Sequence, residues 1–64
     1  MKDIKPVTTR VVITEVEYNT VWNVELYTAD GLYASYTLTE YPRFTDFVRM
    51  YPHATVKQLW LQKS

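Results

Sequence analysis

The single glycine constrains this chain more than any other residue. Gly31 follows Asp30, and the pair stands between two runs in which apolar and polar residues alternate, Val21 to Thr28 and Leu32 to Thr39. Asp-Gly between alternating runs is a strong β-hairpin signal. A two-residue loop would set Leu26 opposite Ser35 and Val24 opposite Thr37, mixing polar and apolar on both faces. A three-residue loop over Ala29-Asp30-Gly31, with Gly31 at positive φ, sets Thr28 opposite Leu32, Leu26 opposite Ala34, Val24 opposite Tyr36 and Trp22 opposite Leu38. Every apolar side chain then shares one face, and a one-residue slip would undo the sorting. The sequence therefore predicts the three-residue loop, with Asn23, Glu25, Tyr27, Tyr33, Ser35 and Thr37 on the other face. Gly31 is a turn residue rather than part of a phosphate-binding loop, which needs several glycines.

The preceding run, Val7 to Tyr18, is apolar on both parities and rich in Val, Ile and Thr, which favour strand. Its turn falls within Tyr18-Asn19-Thr20. A three-residue loop there places Val12, Thr14 and Val16 on the core face of strand 2. It leaves Val11, Ile13, Glu15 and Glu17 beside Glu25 and Tyr27.

Past Thr39 the period changes to that of a helix: Phe44, Phe47, Val48 and Tyr51 fall at i, i+3, i+4 and i+7. Thr39 is the expected cap, Pro42 belongs to the first turn, and Pro52 ends the helix by pushing Tyr51 out of the helical region. Thr55 to Gln62 reads as a last strand, with Val56 and Trp60 on one face and Leu59 and Leu61 on the other. The expected fold is α+β: a small antiparallel sheet in the order β-β-β-α-β, one helix packed on one face, residues 1–64 forming a single domain. Whether the last strand joins strand 1 or strand 3 is open at this level. Trp22, Tyr36, Phe44, Phe47 and Trp60 are the expected aromatic core.

Chemistry-bearing residues are few. The 64 residues contain no cysteine and one histidine, His53, so disulfides, thiol catalysis and a standard zinc site are all excluded. Ser35, His53 and Asp46 can be written as a triad, but no sequence feature supplies a strained turn or oxyanion hole. Glu15, Glu17 and Glu25 could group for acid–base work or a weak cation site, and solvated surface charge is the simpler account. No enzyme activity, metal or cofactor is expected. Neither a leader segment nor a run near the roughly 20 apolar residues of a membrane helix is seen. With cysteine absent, a reducing, cytoplasmic compartment fits.

Charge is zero in total but not evenly ordered. Val11 to Pro42 holds no Lys or Arg, only Glu15, Glu17, Glu25, Asp30 and Glu40, while both ends are basic. One helix covers one side of a sheet, so the second apolar set of strand 1 would be exposed unless another chain meets it. The candidate partner-binding face is thus Val11, Ile13, Glu15, Glu17, Glu25, Tyr27 and Tyr33, acidic and tyrosine-bearing. It suits a protein partner with a basic surface, and an inhibitor that blocks such a surface, as phage-encoded inhibitors of host enzymes and defence systems do by analogy of size and charge. Two alternatives differ in class. One is a nucleic-acid-binding module with Tyr27 and Tyr33 as stacking platforms and Lys2, Lys5, Arg10, Lys57 and Lys63 on phosphates. The other is a homodimeric assembly subunit that uses the same face twice.

Overall fold

The computed structural model describes residues 7–61. Lys2, Lys5 and Lys63, expected on phosphates, lie outside that span, as does the start of the chain. Four strands and one helix follow in the expected order: β1 (Arg10–Glu17), β2 (Val21–Thr28), β3 (Gly31–Leu38), α1 (Phe44–Met50) and β4 (Thr55–Leu59). They form one sheet in the order β3-β2-β1-β4. The first three strands are antiparallel; β4 docks beside β1 and runs parallel to it. The crossover through α1 explains the direction. It returns the chain to the end of the sheet from which β3 set out, so β4 repeats the direction of β3 and hence of β1.

The β2–β3 hairpin keeps the sorted register at Trp22↔Leu38, Val24↔Tyr36 and Leu26↔Ala34. Nearer the turn it departs from expectation: Thr28 pairs with Gly31 and Tyr27 with Leu32, so the loop is two residues long and Tyr33 is the extra residue of a bulge. Gly31 has φ 123°, a region where a side chain is strained.

The β1–β2 hairpin carries the main correction. Its loop has the expected three residues, closed by Glu17↔Val21 and by the Thr20 N–H donating to Glu17 O at 3.0 Å, with Asn19 at φ 52°. Between Glu15 and Glu17, however, the register shifts, and Val16 is unpaired. One extra residue in a strand moves every side chain beyond it to the opposite face. From Glu15 back to Arg10, the pairs are therefore Glu15↔Trp22, Ile13↔Val24 and Val11↔Leu26. Val11 and Ile13 are fully buried, at 0% exposure, and Val12 and Thr14 face the other way.

The core consists of Val11, Ile13, Trp22, Val24 and Leu26 from the sheet, capped by Phe47 of α1. Ala34, Leu38, Tyr51, Ala54, Val56 and Trp60 pack around it, half-buried. Burying a side chain of this size is worth about 1.5–3 kcal/mol, so six of them must carry most of the fold. The helix is shorter than the periodicity implies. Arg43, not Thr39, precedes its first turn, with no side-chain cap, and Pro42 is buried just outside it. Asp46 in the first turn and Arg49 in the last both complement the helix dipole. Seven residues present only two turns, so Phe47 alone is buried; Phe44 and Val48, expected in the core stripe, are exposed. Tyr36 is also more exposed than expected, at 37%.

Candidate functional site

Alternation along four paired strands places a second set of side chains on the sheet face away from α1. Following the registers, this open face carries Arg10, Val12 and Thr14 from β1, Asn23, Glu25 and Tyr27 from β2, Ser35 and Thr37 from β3, and Thr55, Lys57 and Leu59 from β4. Leu32, opposite Tyr27, joins it through the bulge. Arg10 and Tyr27 are Cα partners, and the Arg10 guanidinium carbon lies 4.1 Å from the centre of the Tyr27 ring. That contact is a cation–π pair. Arg10 is exposed and Tyr27 partly so. Beside the pair, Thr9, Arg10, Tyr27, Thr28, Asp30, Gly31 and Thr55 line a shallow, polar concavity at one end of the sheet.

The seven expected site residues do not share this face. Glu25 and Tyr27 do, and so does Glu17, which pairs with Val21 and stands exposed at the hairpin end of the face. Val11 and Ile13 belong to the core. Glu15 also points to the helix side and is only 7% exposed. Both of its carboxylate oxygens are engaged: Oε2 accepts from the Asn19 backbone N–H and Oε1 from that of Leu61, each at 2.8 Å. Glu15 therefore ties the β1–β2 turn to the chain leaving β4. Tyr33, expected to pair with Tyr27, sits at the bulge; its hydroxyl lies 2.7 Å from Thr8 Oγ1, and with Val7, Met50, Tyr51, Pro52 and His53 it lines a cleft at the end of α1. Val12 is the apolar residue of the face that sequence reasoning missed, its expected place being the core side; Arg10 and Lys57, expected to meet phosphates, share this face with Glu25.

The charge of the face changes with these placements. The expected cluster of three carboxylates separates, with Glu15 on the helix side and Glu17 and Glu25 on the open face, which also carries Arg10 and Lys57. Among the described residues no three His, Cys, Asp or Glu side chains are grouped to hold a metal ion. Ser35 is on the open face, whereas Asp46 belongs to the helix on the other. No described helix is long and apolar enough to cross a membrane.

On the helix side, the aromatic residues form a row. Tyr41 meets Trp22 edge-on at 5.7 Å between ring centres, and Trp60 lies tilted to Tyr41 at 6.0 Å. The buried Trp22 indole N–H finds no acceptor among the described residues. Burial and the neighbouring Tyr51 raise the pKa of Tyr36 above its ordinary value of 10.0. Comparison with protein families, with characterised proteins and with solved structures returns no match.

Proposed function

We propose that this chain is a small protein-binding module that acts by occupying a partner's surface with the open sheet face. The observation that supports this is the face itself: Val12, Tyr27, Leu32 and Leu59 stand among Glu25, Arg10 and Lys57 with no described segment above them. An aromatic and aliphatic centre with a polar, charged rim is the composition of protein interfaces. Three carboxylates sharing this face would call for a purely basic partner. With Glu15 on the helix side, the fitting partner is a protein whose surface is apolar at its centre and carries both signs of charge, an anionic group against Arg10 and Lys57 and a cation against Glu25. Inhibition by blocking an enzyme's or defence protein's surface is compatible with such docking and needs no chemistry from this chain.

A nucleic-acid reading gains from one observation, the Arg10–Tyr27 stack on a sheet face that also carries Lys57 and several hydroxyls. Glu25 still opposes phosphate there, and a single tyrosine with one ring face already occupied is a poor stacking platform.

The two readings separate in one experiment. Affinity capture on immobilised protein is compared between the wild type and a Tyr27→Ala/Leu59→Ala variant, beside titration of a labelled single strand of about 12 nucleotides, within the site sizes of single-strand binders, at several salt concentrations. Protein binding predicts a captured partner lost with the double variant, while its thermal stability stays close to wild type. Oligonucleotide binding that weakens linearly in log salt, and drops with Arg10→Ala, would replace the first reading with the second.

A further inference from the structure

The two edges of the sheet are guarded differently. β4 is five residues long, follows Pro52 and carries Lys57. β3 is eight residues long, and Leu32 to Thr39 contains no charge and no proline. Sheet proteins usually blunt such an edge with lysine, proline or very short strands, because a free row of backbone N–H and C=O groups templates another strand. Among the described residues the one blunting device is the bulge at Tyr33, close to the turn. The helix does not help: it packs toward β4, leaving Tyr36 of β3 partly exposed on the same side of the sheet.

We infer that β3 is a self-association edge, and that its occupant is β3 of a second copy of this chain, paired antiparallel about a two-fold axis perpendicular to the sheet. Charge selects this occupant. A strand with no charged residue faces its own copy without like-charge contact, and the zero net charge of the chain adds no long-range repulsion. Such an axis also keeps like faces together, so Tyr36 of each copy gains cover from the other's Ala34 and Tyr36, and the two open faces merge into one broader surface. Eight residues span about 27 Å of edge, and with the helix away from this edge the strip is one sheet layer deep, about 10 Å, so pairing buries on the order of 500 Å² in total, the area of a weak and transient contact. The dimer is therefore weak. This edge borders the face proposed above for partner binding, and its backbone pairing does not depend on that proposal.

Sedimentation equilibrium from about 5 μM to 1 mM, a range wide enough to reach weak association, tests it, using the full chain and a Ser35→Lys/Thr37→Lys variant. Both positions are exposed on the open face, and the side chain introduced by Ser35→Lys stands opposite Glu25, so the monomer keeps its fold, as circular dichroism will verify. The expected result is a monomer–dimer equilibrium in the wild type, weakened at least tenfold in the variant. Amide exchange should slow with concentration in β3 and not in β4. A wild type that stays monomeric across the whole range overturns the inference. So does a dimer indifferent to the two lysines, open-ended growth into fibres, or concentration-dependent protection confined to β4.

Discussion

Replacing Glu15 by alanine tests the least expected feature of the fold, a buried carboxylate on the core side of β1. The side chain accepts two backbone N–H bonds of 2.8 Å from residues far apart in the chain, Asn19 and Leu61. A hydrogen bond to a charged group contributes about 1.5–3 kcal/mol. Asn19 and Leu61 are themselves exposed, so water can replace part of what is lost. The expected cost is therefore about 2–3 kcal/mol in total rather than the sum of two full bonds. Against an expected stability of roughly 0.05–0.15 kcal/mol per residue, that is a large share of the whole. It corresponds to a fall in Tm of about 8–24 °C for a domain of this size.

Glu15→Gln keeps the stem and one acceptor oxygen but presents an amide NH₂ to the other N–H, so it should cost about half as much as alanine. Urea titration followed by tryptophan fluorescence measures both, since Trp22 and Trp60 lie in the core layer and at its margin. Amide exchange at Leu61 gives a local readout: in both variants it should accelerate more than exchange at the centre of β1. An alanine variant within about 0.5 kcal/mol of wild type, inside the range of ordinary surface substitutions, would show that the carboxylate holds nothing together.

The β1 register predicts a contrast between neighbours: Ile13→Ala should cost about 2–5 kcal/mol, and Val12→Ala less than about 1 kcal/mol, by the same urea titration; the reverse order would restore the register without the Val16 bulge. Trp22→Ala should cost about 3–5 kcal/mol and leave much of the population unfolded in circular dichroism. Trp22→Phe should cost clearly less, because it also removes an indole N–H that has no described acceptor; equal costs would mean that N–H is satisfied. Tyr36 has a raised pKa, so folding favours its neutral form: that stabilisation is complete below pH 10.0 and is lost as the pH rises through the folded-state value. Ultraviolet titration of tyrosinate should show a component above 10.0 that Tyr36→Phe removes, and an unchanged curve would refute the assignment.

What can be read from the sequence, and what cannot, divides along one physical line. Alternation with a turn signal fixes a register when one face is decisively apolar, and Trp22, Val24 and Leu26 against Ala34, Tyr36 and Leu38 meet that condition. β1 does not: Val11 and Ile13 on one parity and Val12 and Val16 on the other are equally good candidates for burial, so its loop length is legible but its face is not. A bulge at Val16 has no marker in this chain; no glycine announces it. Its cause is visible only in three dimensions, where it lets Glu15 reach two orphaned backbone donors and still leaves a three-residue turn. The helix stripe promises too much burial for a related reason. Periodicity reports which residues lie on one side of a helix, while two turns over a narrow sheet can bury only one of them.

That single bulge also decides the functional surface. Glu17 and Glu25 are on the open face in either register; without the bulge Val11, Ile13 and Glu15 would join them, a one-signed acidic patch suited to steering toward a basic partner at rates sensitive to salt. With it, the face carries Arg10, Val12 and Thr14, and Arg10 stacks on Tyr27 next to Glu25. A face of mixed sign gains little from long-range attraction, so recognition falls to short-range fit around Tyr27, Val12 and Leu59. Association measured at about 50 mM and about 300 mM salt should then differ by less than about threefold, whereas an acidic patch would change by roughly tenfold or more. A steep salt dependence with a protein partner, abolished by Glu25→Gln, would return the acidic reading.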